Sequence, residues 1–138
     1  MTLRVGFLGY GFMGDAHANA LARLPMFFPD APDVERGVLI GRDEAALAAA
    51  ADRLGFEDTA TDWEAALSDV DVLFNLAPNS LHAEPSIAAL DRGVHVLCEK
   101  PLATDLDGAE EMAAAASESD AVAAVGFNYR YVPALAHA

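Results

Sequence analysis

Five apolar runs rich in β-branched and aromatic residues alternate along this chain with longer, alanine-rich segments. Each run is nearly continuous in apolar residues, which is typical of strands buried on both faces of a parallel sheet. The alternation of such strands with helices predicts a doubly wound α/β domain, with helices on both faces of the sheet. The predicted strands cover residues 3–9, 37–43, 71–78, 94–100 and 121–130.

The segments between these strands carry helical signals. Gly55 is suited to a C-terminal cap, and Thr61 or Asp62 to the N-cap of a short helix with an acidic first turn. Residues 23–36 contain three prolines and are predicted to form a loop. No linker or internal repeat divides the chain, so we expect a single domain over residues 1–138. The predicted helices cover residues 12–24, 44–55, 61–68, 80–93 and 105–119.

The length and charge of the chain argue against several classes of protein. One hydrophobic core is feasible in 138 residues, and no apolar stretch reaches the roughly 20 residues that a membrane span requires. The formal charge of −14 argues against nucleic-acid binding, which needs clustered lysine and arginine. The N-terminus lacks a signal-peptide pattern and the lone Cys98 cannot form an internal disulfide, so a cytoplasmic location is expected.

The acidic, lysine-poor and alanine-rich composition predicts adaptation to a salt-rich cytoplasm. Acidic residues outnumber basic ones 22 to 8, and this much like charge weakens the compact state at low ionic strength. At ~1 M salt the Debye length falls to about 3 Å, and most of that repulsion disappears. An ordinary acidic surface is the alternative interpretation.

A glycine motif directly follows the first predicted strand. The stretch GYGFMG places Gly9, Gly11 and Gly14 in G-x-G-x-x-G spacing at the start of the first predicted helix. Gly9 allows a tight turn, Gly11 lets the backbone approach a pyrophosphate, and Gly14 lets the helix pack closely on the sheet. The helix N-terminus carries partial positive charge, so this loop, with Phe12 and Met13, is predicted to bind a dinucleotide in a Rossmann-type domain. A tight turn without a ligand is the alternative.

The end of the second predicted strand bears on the choice between NAD and NADP. An acidic residue there would bind the ribose 2′-hydroxyl, whereas an arginine accommodates a 2′-phosphate. Gly41 occupies the expected acidic position and Arg42 follows it, so the sequence favours NADP over NAD. Asp43 is a rival for the ribose, although it is also a suitable N-cap for the next helix.

The chain contains one lysine, Lys100, which follows the fourth apolar run in the stretch HVLCEKPLA. Ligands of doubly wound sheets bind at the carboxyl ends of strands, where this residue is predicted to lie. Its ammonium could hydrogen-bond a developing alkoxide or polarise a carbonyl that receives hydride. Arginine stays protonated and cannot relay a proton, so a lysine suits a catalytic role at this position. A solvated lysine at a strand end is the alternative.

Three further stretches are distinctive when taken together: GYGFMGDAH, DVLFNLAPNSLHAEPSIAALDRGVHVLCEKPLA and VGFNYRYVPA. Their most specific feature is Glu-Lys-Pro at a strand end, downstream of a Pro-Asn-x-x-His loop. With these motifs the chain resembles the Gfo/Idh/MocA oxidoreductases, named for glucose–fructose oxidoreductase and inositol dehydrogenase. The resemblance extends through all 138 residues.

The resemblance implies a role for each matching position. Lys100 would be catalytic, beside the nicotinamide and the substrate hydroxyl, and Glu99 and Pro101 would hold it in place. His17 and His82 could contact the cofactor or be hydrogen-bonded packing residues. The remaining matches would border the same crevice: Ala77, Pro78, Asn79 and His82 in a loop past the nicotinamide ribose, Asn128 and Arg130 at a strand end, and His17 on a helix.

The resemblance also implies a larger enzyme. Members of the family carry a second, carboxyl-terminal domain that forms the substrate-binding wall and much of the oligomer interface. We therefore expect the NAD(P)-binding domain of an oxidoreductase that acts on a small sugar, polyol or related carbonyl compound, and that forms a homo-oligomer when full length. The fragment alone is expected to be inactive, and no metal-ligand spacing occurs. A free-standing nucleotide-binding or redox-sensing module is the alternative.

Overall fold

The computed structural model describes residues 1–137 and contains a six-stranded sheet in which every pair of neighbouring strands is parallel. Ala138, the last residue of the predicted domain, lies outside the described residues. The strands are β1 (Thr2–Leu8), β2 (Asp33–Ile40), β3 (Asp58–Ala60), β4 (Val72–Asn75), β5 (His95–Cys98) and β6 (Ala123–Val125). The helices are α1 (Phe12–Phe27), α2 (Glu44–Leu54), α3 (Trp63–Ala66), α4 (Ala83–Asp91), α5 (Leu106–Glu118) and α6 (Pro133–Ala136).

The strand order across the sheet is β3-β2-β1-β4-β5-β6. The chain first builds outward from β1 to β3, then crosses back to place β4 on the other side of β1 and builds outward again to β6. The predicted doubly wound α/β fold of the Rossmann type is therefore confirmed. Because the direction of building reverses between β1 and β4, a crevice opens at their carboxyl ends.

Helices cover both faces of the sheet and bury two hydrophobic clusters. One cluster lies under α1 and α2, and includes the fully buried Phe7, Leu39 and Leu47. The other lies under α3, α4 and α5, and includes Leu73 and Met112. No helix within residues 1–137 combines the length and the apolar character needed to cross a membrane.

The segment predicted as a proline-rich loop is largely ordered into regular structure. Helix α1 continues past Pro25 and ends at Phe27, and strand β2 begins at Asp33 rather than Gly37. Only residues 28–32 remain as the connection. Pro25 has no N–H to donate to the carbonyl oxygen of Leu21, and the helix ends two residues later at Phe27.

A cluster of ion pairs around Arg4 explains why the charged start of β2 is extended. The Arg4 guanidinium pairs with Glu35 of β2, with Glu57 at 2.7 Å and with Asp58 of β3 at 2.9 Å, while its backbone N–H donates to Asp71 at 2.7 Å. The hydrogen bond from Arg4 lowers the pKa of the Glu57 carboxyl. This cluster ties together the amino-terminal parts of β1, β2 and β3.

Two other elements differ from the sequence-based expectation. Strand β3 covers only three residues, Asp58–Ala60, and begins with exposed, polar residues. It was not predicted, because no apolar run marks it in the sequence. The last predicted strand is shorter than its apolar run, because only Ala123–Val125 pairs with β5. The chain then turns into a short 3-10 helix over Asn128–Tyr131.

Leu39 of β2 offers a test of the core, because its side chain is fully buried in the hydrophobic cluster that includes Phe7 and Leu47. Leu39→Ala should lower the free energy of unfolding by about 2–5 kcal/mol, since it removes buried methyl groups and leaves a cavity. The matched control is Leu106→Ala on α5, whose side chain is 70% exposed and should change stability by less than ~0.5 kcal/mol. Denaturant unfolding in concentrated potassium chloride measures both; equal losses would contradict the described core.

Candidate functional site

A cavity of about 960 Å³ lies at the carboxyl ends of β1, β2 and β4, where the strand order reverses. Its walls are the glycine loop after β1, the turn after β2 and the loop after β4. Eight of the residues predicted to bind cofactor line it: Gly9, Gly11, Phe12, Met13, Gly41, Arg42, Ala77 and Pro78. The other predicted residues are not in its walls: Gly14, Asn79, His82, Glu99, Lys100, Asn128 and Arg130.

The glycine loop is shaped by close backbone contacts. Gly9 has a φ of +107°, and a Cβ atom at this position would lie 2.7 Å from the Leu76 carbonyl oxygen. A Cβ atom on Gly14 would lie 3.2 Å from the Gly9 carbonyl oxygen, so α1 begins tightly against the loop. Gly11 has no atom within 4 Å of its Cβ position and faces the open cavity. Gly9 and Gly14 are therefore needed for the fold, whereas Gly11 leaves room for a ligand.

Tyr10 is a wall residue that the sequence analysis did not single out. A Cβ atom on Gly41 would overlap Cε1 of the Tyr10 ring, so the ring lies directly against the glycine backbone. The absence of a side chain at Gly41 thus makes room for an aromatic ring at the cavity wall. The aromatic residue inside the glycine motif was the available signal.

Arg42 and Asp43 occupy the turn between β2 and α2. The Asp43 carboxylate accepts a hydrogen bond of 3.0 Å from the Ala46 backbone N–H. Asp43 is therefore the N-cap of α2, which was one of the two roles considered for it from the sequence. Arg42 is exposed and lines the cavity. In this turn Asp43 stabilises the start of α2, and Arg42 is available to contact a ligand in the cavity.

Lys100 lies two residues after the last residue of β5, in an exposed position. The preceding carboxylate, Glu99, is 6% exposed and accepts a hydrogen bond of 3.1 Å from the Lys100 backbone N–H. Its other oxygen lies 3.0 Å from Nε2 of His17 on α1. A Cβ atom on Gly126 would come within 2.8 Å of the same carboxylate. Glu99 therefore fixes the backbone that carries Lys100 and connects it to α1.

Neither His17 nor His82 lines the cavity, and both side chains are engaged in hydrogen bonds. His17 packs edge-on against Phe7 and Phe74, with ring centroids 6.4 and 5.5 Å apart, while it contacts Glu99. His82 is 1% exposed, and each of its ring nitrogens lies within hydrogen-bond distance of a backbone carbonyl oxygen. Both side chains are hydrogen-bonded, and that of His82 reaches the cavity wall through the backbone of Ala77.

The remaining predicted residues lie on two short 3-10 turns. Asn79 begins the turn Asn79–Leu81 after β4 and is exposed. Asn128 and Arg130 belong to the turn Asn128–Tyr131 after β6, and both are exposed. These turns lie at the same edge of the sheet as Lys100. The turn after β4 is one strand away from the glycine loop, and the turn after β6 is three strands away.

Cys98 is a core residue and is not poised as a nucleophile. Its side chain is 1% exposed, and burial raises the pKa of its thiol to about 11. Within residues 1–137, no group of three or more His, Cys, Asp or Glu side chains could hold a metal ion. Lys100, Arg42 and the backbone amides of the glycine loop are among the groups at this edge of the sheet that can act on a ligand.

Comparison with known proteins agrees with this geometry. Residues 3–127 match the model of the oxidoreductase family Gfo/Idh/MocA, described as an NAD-binding Rossmann fold. This chain belongs to the Gfo/Idh/MocA oxidoreductase family. The resemblance inferred from the glycine loop and Glu-Lys-Pro is thus confirmed, and the described structure is the nicotinamide-cofactor-binding domain of that family.

Relatives of this Gfo/Idh/MocA domain include sugar dehydrogenases. Levoglucosan dehydrogenase of Pseudarthrobacter phenanthrenivorans is 45% identical over 138 residues, covering 98% of this chain and 35% of that protein. D-xylose 1-dehydrogenase (NADP(+)) 2 of Haloferax volcanii is 34% identical over 126 residues, covering 90% and 38%. A solved structure of levoglucosan dehydrogenase with NADH and levoglucosan has a TM-score of 0.94 at 42% identity, covering 99% and 38%. The chain thus spans little more than a third of these relatives.

Gly11 and Gly9 form a matched pair that separates ligand binding from folding. Gly11→Ala should leave the free energy of unfolding nearly unchanged, because its Cβ meets nothing within 4 Å, yet it should weaken NAD(P)H binding by filling the approach to the pyrophosphate. Gly9→Ala should instead destabilise the fold, because φ is +107° and the Leu76 carbonyl blocks the new Cβ. Fluorescence titration and denaturant unfolding measure the two effects. Unchanged cofactor affinity in Gly11→Ala would argue against a dinucleotide in this cavity.

Proposed function

We propose that this domain holds the nicotinamide cofactor of an oxidoreductase that transfers hydride between that cofactor and a sugar, polyol or related carbonyl compound. The observation that carries the proposal is the position of Lys100 after the carboxyl end of β5, the strand next to β4, whose following loop lines the cavity. Family membership and the sugar dehydrogenases among its relatives support the substrate class.

The cavity fits a dinucleotide in its donor chemistry. Backbone amides of the glycine loop at the start of α1 suit an anionic pyrophosphate, and the open Cβ position of Gly11 allows its close approach. Ala77 and Pro78 form the opposite wall, towards β5 and Lys100. When bound, the nicotinamide supplies the hydride acceptor or donor, and the protein's part is to orient it.

Lys100 acts in this proposal on the substrate oxygen. In carbonyl reduction its ammonium hydrogen-bonds the oxygen on which negative charge develops and then transfers a proton to it, forming the hydroxyl. In alcohol oxidation the neutral amine receives that proton. Glu99, which holds the Lys100 backbone N–H, and His17, which holds Glu99, keep the lysine at this strand end.

Further domains would complete the enzyme. The chain spans 35–38% of the relatives described above, so we place the substrate-binding wall and the homo-oligomer interface in the rest of a full-length protein. The direct contacts of the described domain are then with cofactor and with the reacting part of a small substrate. Nucleic acid is not a partner in this proposal, because the net charge is −14.

We also propose a salt-rich cytoplasm as the working environment. A net charge of −14 and a single lysine support this proposal. At ~1 M salt the mutual repulsion of exposed carboxylates is screened beyond about 3 Å. The few cations then serve defined contacts, such as Arg4 in its ion cluster.

We propose NADP rather than NAD as the preferred cofactor. The exposed Arg42 lines the cavity where a 2′-phosphate would lie, Gly41 provides no carboxylate, and the Asp43 carboxylate is engaged as a helix cap. The Haloferax volcanii relative is named for NADP(+), whereas levoglucosan dehydrogenase has been solved with NADH. A guanidinium matches the phosphate oxygens in a bidentate geometry.

Arg42→Ala tests this preference. The loss of a bidentate charge-assisted contact should weaken NADPH binding by about tenfold or more, corresponding to at least ~1.4 kcal/mol, and leave NADH binding within twofold. Arg53→Ala is the matched control, because Arg53 is an exposed cation on α2 that pairs with Asp15 outside the cavity wall. Equal losses for NADPH and NADH would contradict the assignment of Arg42.

Lys100→Met tests the catalytic role in a full-length enzyme that carries this domain. Hydride transfer should fall by about 10²–10⁴-fold, because the general acid–base group is removed, while cofactor affinity is retained. The matched control is Arg92→Met, which removes an exposed cation after α4, in the loop that leads into β5 at the opposite end of the strand. Retained turnover in Lys100→Met would contradict the catalytic role and indicate that Lys100 is a solvated surface residue.

A further inference from the structure

One buried side chain, His82, joins the loop after β4 to the turn that carries Lys100. Its ring is 1% exposed. Nδ1 lies 2.7 Å from the carbonyl oxygen of Pro101, and Nε2 lies 2.9 Å from the carbonyl oxygen of Ala77. Ala77 lines the cofactor cavity, and Pro101 directly follows Lys100.

These two contacts constrain the protonation state of the ring. A backbone carbonyl oxygen can only accept a hydrogen bond, so both contacts are hydrogen bonds only if both ring nitrogens of His82 donate. A neutral imidazole carries one N–H and one lone pair, and that lone pair would face a carbonyl oxygen in a buried site. Only the imidazolium form donates from both nitrogens.

His95 shows the opposite arrangement in the same sheet. Its Nδ1 accepts a hydrogen bond of 2.8 Å from the Val122 backbone N–H, so this nitrogen must carry a lone pair. The two histidines therefore differ in what their partners demand. This contrast makes His95 an internal reference for His82.

The backbone that carries His82 is held in place by neighbouring buried groups. The side-chain amide nitrogen of Asn75 lies 3.1 Å from the His82 carbonyl oxygen and 2.9 Å from that of Leu81. It also lies 3.0 Å from Oγ of the fully buried Ser86. The same strand ends bury the carboxylate of Glu99, whose backbone N–H donates to the Asn75 carbonyl oxygen at 3.0 Å. This part of the core thus contains polar groups of both signs, each with a partner among the described residues.

We propose that His82 is a positioning residue that carries a positive charge in the folded domain, and that it clamps the cavity wall at Ala77 to the backbone beside Lys100. The proposal rests on the function assigned above to Lys100 and the cavity. Its consequence is that the distance between the nicotinamide-facing loop and the lysine is set by one doubly donating ring. His82 acts through Ala77 and Pro101 and needs no contact with the cofactor itself.

The first test is the protonation state of the four histidines in the unmodified chain. Nitrogen-15 spectra of the imidazole rings at pH 7 should show two protonated nitrogens for His82 and one unprotonated nitrogen for His95. Signals are assigned by single substitution of each histidine. An unprotonated nitrogen in the ring of His82 would overturn the proposal, and this measurement requires neither cofactor nor turnover.

The second test uses Lys100 as a reporter, because it is the only lysine in the sequence. Labelling with carbon-13 and nitrogen-15 lysine gives the signals of this residue alone. His82→Phe keeps a ring but removes both donors, and it should shift the backbone and side-chain signals of Lys100. His95→Phe, the control at the opposite end of β5, should leave them unchanged. Identical Lys100 signals in wild type and a folded His82→Phe would overturn the positioning role.

The two tests also separate this proposal from the proposed function. Addition of NADPH to the labelled wild-type chain should shift the Lys100 signals if the cavity and the lysine form one site. Lys100 signals that do not change on addition of NADPH would count against the proposed function. The nitrogen-15 spectra of the His82 ring would still show whether that ring is charged. If His82→Phe does not fold, the ring spectra of the wild type remain the deciding measurement.

Discussion

The reversal of strand order between β1 and β4 is the constraint on which the rest of the site depends. Parallel strands deliver all their carboxyl ends to one edge, and the reversal sends the following loops away in opposite directions. The loops still meet at their bases, where the backbone at Gly9 touches Leu76 and leaves no space for a side chain. The crevice therefore has a floor of main chain, and its walls come from segments that are distant in sequence.

Much of the fold could be predicted because its signals are local. The apolar runs of β1, β4 and β5 and the alanine-rich helices between them announce a covered parallel sheet, and the structure confirms it. The failures occur where a distant partner decides the conformation. Strand β3 is short and polar and exists because it pairs with β2, and β2 extends back to Asp33 because Arg4 pairs with Glu35. The sequence of each segment alone therefore gives no indication of these partners.

The site divides along the same line. The glycine loop and Lys100 could be recognised from motif and position, because each follows a strong strand. The contact of His17 with Glu99 joins residues 82 positions apart, and that of His82 with Pro101 joins residues 19 apart. Neither a helix histidine nor a glutamate after a strand reveals such a pairing. Tyr10 likewise gains its place at the cavity wall only when β2 brings Gly41 against its ring.

The scarcity of positive charge around the cavity has a kinetic consequence. Arg42 and Asp43 are the charged residues in its described walls, and the sequence as a whole carries −14. An anionic dinucleotide must therefore approach through a repulsive field before the main-chain amides and the helix start can attract it at short range. Added salt weakens the long-range field more than these short contacts. Capture of the cofactor should thus accelerate with ionic strength, the reverse of the behaviour of a site that attracts its anion from afar.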